Sequence, residues 1–163
     1  MKYFICGFTG SGKTYTLKLL KEKLSDYELV DLDDYIFKKL ENYESLGEYI
    51  NKVGFDAFRQ DEVNALKELS YRDKIIISLG GGSLSFETIK LLSGFKGLWL
   101  NTDFDECLKR ILGDEKRPIA SLPKKELLKI YNQRLGFYHK YEACQSPEQI
   151  VSHILDAVTC QRK

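Results

Sequence analysis

Gly7-Phe8-Thr9-Gly10-Ser11-Gly12-Lys13-Thr14 fits the pattern G-x-x-x-x-G-K-[ST]. Such a loop turns several backbone N–H groups toward one point. The helix that follows adds a partial positive charge there, so the two together suit a polyphosphate. Lys13 can reach terminal phosphates, and the Thr14 hydroxyl can ligate Mg²⁺. Asp31-Leu32-Asp33-Asp34 lies at the end of a second short apolar run. Asp31 and Asp33, two apart on an extended backbone, share one side, while Asp34 suits the cap of a following helix. Carboxylates near Lys13 can organise Mg²⁺ or accept from a substrate hydroxyl. Helix capping and solvated charge are the alternative reading.

Further along, Arg59 sits beside Phe55 and Phe58 on an otherwise apolar helix side, with Glu62 one turn on. A planar guanidinium there needs a partner, and a ligand carboxylate would fit its fork. Glu62 could equally supply that partner internally. Gly80-Gly81-Gly82 ends an isoleucine-rich run and permits close backbone approach to a ligand. The charged stretch Gly113-Asp114-Glu115-Lys116-Arg117-Pro118 suits a mobile phosphate lid carrying an arginine, or a plain solvated loop. Arg110 lies on the helix before it. Arg134, with Tyr138 and Tyr141 at i+4 and i+7, places a second arginine on a partly apolar helix face; the tyrosines read as packing.

Alternating strands and helices must position these residues. Apolar runs predict strands over Lys2–Gly7, Glu28–Leu32, Lys74–Leu79 and Gly97–Leu100. Helical spacing marks Thr14–Leu24, Asp34–Leu40, Leu46–Val53, Phe55–Leu69, Phe86–Leu92, Phe104–Leu112, Lys124–Tyr141 and Glu148–Val158. The alternation implies an α/β fold, a parallel sheet with helices on both faces. The 163 residues fit one domain, 1–163.

Lys+Arg 25 against Asp+Glu 24 gives a net charge of +1, which offers no footprint for nucleic acid. No apolar stretch approaches the ~18 residues of a membrane span. The four cysteines form no C-x-x-C pair, and there are two histidines, so neither a zinc site nor a disulfide framework is expected. Free thiols suit a reducing cytoplasm.

In this order and spacing, the phosphate loop, D-x-D, FR with a following glutamate, GGG, the RP-containing lid and an arginine with a tyrosine four later resemble the shikimate kinase family. The resemblance covers roughly residues 1–143. It implies a three-layer P-loop kinase fold with a mobile lid, about 113–123, and a substrate-binding subregion, about 33–60. It implies transfer of the γ-phosphoryl of ATP to the 3-hydroxyl of shikimate, with Mg²⁺, in aromatic amino-acid biosynthesis. Gly10, Ser11, Gly12, Lys13, Thr14, Tyr15, Arg110 and Arg117 would bind ATP. Thr14 would hold the metal, with Asp31 acting through water. Asp33, Arg59, Gly80, Gly81, Gly82 and Arg134 would bind shikimate; Lys13, Asp33 and Arg117 would carry catalysis. ATP and shikimate would be the partners of a cytoplasmic monomer, with no nucleic acid and no membrane. The alternatives are a kinase of another hydroxy acid, gluconate-like, and a non-catalytic nucleotide-dependent module.

The chain departs from the family pattern at Leu79, where threonine is common, at Gly136, where proline is common, and at Glu142. Only Ala143-Cys144-Gln145-Ser146-Pro147 fill the space before the last predicted helix where the family usually places a fifth strand and an adenine-contacting loop. A four-stranded sheet is therefore expected, with the fifth strand short or missing and the adenine-gripping segment cut back. Weak discrimination between bases would follow from that loss.

Overall fold

The computed structural model describes residues 1–161. Its sheet comprises β1 (Lys2–Cys6), β2 (Glu28–Asp31), β3 (Ile75–Ser78), β4 (Lys96–Leu100) and β5 (Glu142–Cys144). All neighbours pair in parallel, in the order β2-β3-β1-β4-β5. Side chains alternate between the two faces. Phe4, Cys6, Ile75, Ile77 and Trp99 enter one core; Tyr3, Ile5, Ile76, Leu98 and Leu100 enter the other. Burial on both faces is why these strands read as continuous apolar runs instead of alternating ones.

Helix α1 (Lys13–Lys21) supplies Leu17 and Leu20, and α8 (Pro147–Gln161) supplies Ile150, Ile154 and Val158, to the core on one side. The opposite core takes residues from α2 (Leu32–Phe37), α3 (Leu46–Val53), α4 (Phe55–Ser70), α6 (Phe104–Ile111) and α7 (Lys124–Tyr138). A short helix, α5 (Phe86–Leu91), follows β3 and opens on a Ser85–Thr88 capping box. The result is three layers, helix–sheet–helix, with every strand pointing its carboxyl end the same way. Loops after β1, β2 and β3 therefore converge on one edge, where ligands of such sheets bind. No helix among the described residues is long and apolar enough to cross a membrane.

Three expectations are decided here. The fifth strand, expected to be short or missing, is present and short: Glu142–Cys144 pairs with Leu98–Leu100, so the sheet has five strands and not four. Second, Asp33 is helical. Asp31 Oδ1 accepts from the N–H groups of Asp33 and Asp34, at 3.1 and 3.4 Å, so Asp31 caps α2 and the helix starts at Leu32. The cap falls to Asp31, not Asp34, because its carboxylate sits at the extended residue just before the turn. Third, Phe55, assigned to the apolar side of its helix, is 42% exposed. It is the first residue of α4, below the turns that meet the core.

The remaining differences lie at element ends. The helix over 124–141 closes at Tyr138, and Tyr141 turns back to meet the Phe4 ring edge-on at 4.9 Å. The lid segment contains a short 3₁₀ turn, Pro118–Ser121.

Candidate active site

Between β1 and α1 the chain makes its phosphate loop. Gly12 takes a left-handed φ of +105° at the α1 N-cap, which favours glycine. No side chain caps α1, so its first N–H groups remain open to an anion. Phe8 anchors the loop from below. It is buried against Tyr131 and Phe104, with ring centroids at 5.2 and 6.1 Å. Lys13 is also buried, and its ammonium donates to the Gly7 and Phe8 carbonyls at 2.7 and 3.0 Å. Burial lowers its pKa to about 8, against the opposing pull of the Asp33 and Asp31 carboxylates. The Thr14 hydroxyl donates to Asp31 Oδ2 at 2.8 Å. Asp31 thus divides its oxygens, one capping α2 and one facing the loop.

Asp33 lies in the first turn of α2 and lines the clefts on both sides of it. Its Oδ1 is buried and has no hydrogen-bond partner among the described residues. Burial raises its pKa to about 7, and the negative charges of Asp31 and Glu62 push the same way; Lys13 and Arg59 oppose. A carboxylate with a free buried oxygen and a pKa near neutrality is suited to take a proton.

The second cleft holds the arginines. Arg59 Nη1 pairs with Glu62 Oε2 at 2.5 Å, and the Ser83 hydroxyl donates to the other oxygen of Glu62. Glu62 is 1% exposed, so it is the internal partner that sequence left open. Arg134 forms no salt bridge among the described residues and lies 5.5 Å over the Phe8 ring. Burial lowers its pKa, and the nearby Arg59 charge adds to the effect. Both guanidinium groups converge on Gly82, where a Cβ would stand 2.8 Å from Arg134 Nη2 and would also collide with Arg59.

The other two glycines are short of space for equally specific reasons. At Gly80 a Cβ would meet Asp33 Oδ1 and Glu62 Oε1, each at 3.0 Å; at Gly81 it would meet Thr9 N at 2.9 Å. The three glycines therefore let the strand end run between the phosphate loop and the charged side chains. Tyr138, read from sequence as packing, does pack, stacking on Trp99. It also donates its hydroxyl to the Gly81 carbonyl at 2.5 Å, which fixes this turn. Its position four residues after Arg134 was the available signal.

Over the top lies segment 113–123. Arg117 Nε donates to Asp114 at 2.8 Å and Nη1 to Thr9 Oγ1 at 2.7 Å. Arg110 Nη1 donates to the Gly10 carbonyl at 3.1 Å. The phosphate cleft, ≈ 260 Å³, is lined by Gly10, Gly12, Lys13, Thr14, Tyr15, Asp31 and Arg117 among others. The second cleft, ≈ 110 Å³, joins it at Thr9, Asp33, Gly80, Gly81 and Arg117. Ser11 is buried within the loop itself and donates its N–H to the Phe8 carbonyl at 3.1 Å.

Every residue singled out from the sequence for this site lies in or beside these two clefts. Sequence reasoning missed Thr9 and Ser83. Ser83 directly follows the glycines, and the loop pattern leaves the Thr9 position unspecified. The segment between β5 and α8 is short, only Gln145 and Ser146, as expected. Asn101, Gln145, Ser146 and Pro147 line a further groove of ≈ 730 Å³ beside Tyr15 and Arg110.

Comparison with known proteins agrees with this arrangement. A family model described as shikimate kinase matches residues 9–159. A shikimate kinase of Enterococcus faecalis is 34% identical over 161 residues, spanning 93% of this chain and 94% of that one. One from Persephonella marina is 29% identical, spanning 95% and 97%. A solved shikimate kinase of Acinetobacter baumannii, in complex with shikimate, superimposes with a TM-score of 0.86 at 23% identity, covering 98% of this chain and 93% of that one. The Aquifex aeolicus shikimate kinase gives 0.79 at 26% identity, covering 99% and 98%. Because the family match runs through nearly the whole chain, and takes in both clefts and the lid, this chain belongs to the shikimate kinase family.

Proposed function

We propose that the two joined clefts hold ATP and shikimate side by side, and that Lys13, Asp33 and Arg117 move the γ-phosphoryl group to the shikimate 3-hydroxyl. The observation that carries this reading is the pair of guanidinium groups over Gly82, one bonded to Glu62 and one without a salt bridge. Such a pair is short of one anion. A single carboxylate supplies it, and shikimate carries one carboxylate together with hydroxyls.

The triphosphate lies along the phosphate loop, against the N–H groups of Gly10, Ser11, Gly12, Lys13, Thr14 and Tyr15. Lys13 exchanges the Gly7 and Phe8 carbonyls for phosphate oxygens; Arg110 flanks the nucleotide. The Thr14 hydroxyl and the Asp31 carboxylate, 2.8 Å apart beside this loop, are oxygen donors that fit Mg²⁺, with Asp31 acting through water. Bound there, Mg²⁺ would neutralise charge on the transferring group. Arg59 and Arg134 clamp the acceptor carboxylate, and the backbone of Gly80, Gly81 and Gly82 supports the ring.

Asp33 holds the acceptor hydroxyl and takes its proton on Oδ1 as the new O–P bond forms and the bond from the γ-phosphorus to the β–γ bridging oxygen breaks, releasing ADP. Arg117 closes over the phosphates and stabilises their charge, so the protein contributes mostly position and electrostatics. The chain acts as one catalytic unit and as a monomer in the cytoplasm. A coupled ADP-release assay with shikimate, quinate-like and gluconate-like acids tests this. Turnover with shikimate well above the others is expected; equal or greater turnover with gluconate would replace the acceptor.

A further inference from the structure

Thr9 stands where three parts of the site meet. It belongs to the phosphate loop. Its backbone nitrogen lies against Gly81 of the acceptor turn, 2.9 Å from where a Cβ on that glycine would be. Its hydroxyl accepts from Arg117 Nη1 at 2.7 Å. It lines both clefts. Nothing in the loop pattern requires threonine here, because the position is one of the four unspecified ones between Gly7 and Gly12.

The Arg117 guanidinium is held along two edges. The bond from Nε to Asp114 lies within the lid and shapes it without tying it down. The bond to Thr9 is the one side-chain hydrogen bond, among the described residues, that joins segment 113–123 to the phosphate loop. The lid also rests on α3, where the Lys116 carbonyl lies 2.9 Å from a Cβ position on Gly47. That contact is steric and sets height, not the rotation of the guanidinium. With Nε and Nη1 engaged, the remaining N–H groups of Arg117 are free for a phosphate oxygen.

We propose that Thr9 is a positioning residue. Its hydroxyl seats the lid arginine at the boundary between donor and acceptor, so that Arg117 meets the transferring phosphoryl group in one orientation. The inference rests on the phosphoryl-transfer reading above.

Thr9→Val keeps the side-chain shape and removes the accepting oxygen. Its kcat should fall about tenfold, since it removes a hydrogen bond to a charged group that matters in the transition state, while KM for ATP and for shikimate stay within about twofold. Thr9→Ser, which keeps the oxygen, should restore most of the loss. In an Arg117→Ala background, Thr9→Val should cost nothing further. An unchanged kcat in Thr9→Val, a Thr9→Ser as slow as Thr9→Val, or a full further loss in the Arg117→Ala background would each overturn the proposal.

Hydrogen exchange separates this idea from the function itself. With ADP bound, lid amides around Arg117 should exchange faster in Thr9→Val than in wild type, and equal exchange would overturn the seating. If the wild type does not phosphorylate shikimate, the acceptor assignment fails, and the exchange measurement still decides the role of Thr9.

Discussion

Around Lys13 the cleft is made of backbone; around Arg134 it is made of side chains. The phosphate side uses eight consecutive residues, Gly7 to Thr14, and its one buried charge is already satisfied by carbonyls of the same loop. The acceptor side gathers Asp33, Arg59, Glu62, Gly82 and Arg134 from the first turn of α2, from α4, from the turn after β3 and from α7. Among the described residues, its Arg134 forms no salt bridge and its Asp33 Oδ1 accepts no hydrogen bond. In the first region the buried charge has its partners within the loop, and the open groups are backbone N–H donors at the start of α1. The second has the charge and the acceptor oxygen to receive an anion and a hydroxyl. Phosphate binding is shared by many chemistries, so a generic cradle suffices; choosing one hydroxy acid requires a pocket that is unfavourable when empty.

The largest test of this contrast removes one charge from each side. Asp33→Asn and Lys13→Ala should each lower turnover by 10²–10³ or more, roughly 3–4 kcal/mol or above, with the fold intact by circular dichroism. Near-wild-type turnover in a folded Asp33→Asn would take the acceptor-side aspartate out of the mechanism. Next come the arginines. Arg134→Ala and Arg59→Ala should weaken shikimate binding by about 2–5 kcal/mol in calorimetry and leave ATP affinity nearly unchanged. Equal loss for both ligands would mean the two sides are not separate.

A third test asks whether the acceptor side is unfavourable when empty. The Asp33 carboxyl is raised from 3.8 to about 7 in the folded chain. The folded state therefore favours its neutral form, and stability falls as pH rises from about 4 to about 7, then levels. Asparagine has no such dependence. In urea unfolding of the ligand-free protein, Asp33→Asn should gain stability relative to wild type between pH 4 and pH 8, by about 2–4 kcal/mol. A pH-independent difference would show that Asp33 is not under this strain.

The smallest effect is a control lying outside both regions. Gly136 sits inside α7 with nothing within 4 Å of a Cβ position. Gly136→Ala should stabilise the fold by roughly 0.5–1 kcal/mol, through helix propensity, and leave both KM values unchanged. A shift in KM for shikimate would mean that freedom in this helix tunes Arg134.

The same contrast explains what sequence could reveal. The phosphate loop was legible because its residues are contiguous and flanked by a strand and a helix. The strands of the sheet's centre were legible because burial on both faces makes them apolar throughout. Asp33, Arg59 and Arg134 acquired roles only through their order along the chain, which resembles a family; no local spacing brings them together. The helical setting of Asp33 was hidden because Asp31-Leu32-Asp33 suits an extended end as well as a capped helix start. β5 was hidden because three residues with one buried side chain carry no periodicity. Thr9 was hidden because its task depends on a lid residue 108 positions away.

The strand order has a consequence in time. β1 is made first, yet it pairs with nothing nearby in the chain: its neighbours are β3 and β4, in register from Lys2↔Ile75 and from Tyr3↔Lys96. On a ribosome, most of the polypeptide must emerge before β1 has both partners. Until β3 emerges, Tyr3, Phe4, Ile5 and Cys6, all buried in the finished fold, remain an unpaired apolar segment. Late, non-local pairing of this kind slows folding and leaves strands open to chaperones or to aggregation. The nucleotide loop hangs from the end of that strand. The motif easiest to find in the written sequence thus waits for strands that lie far along the growing chain.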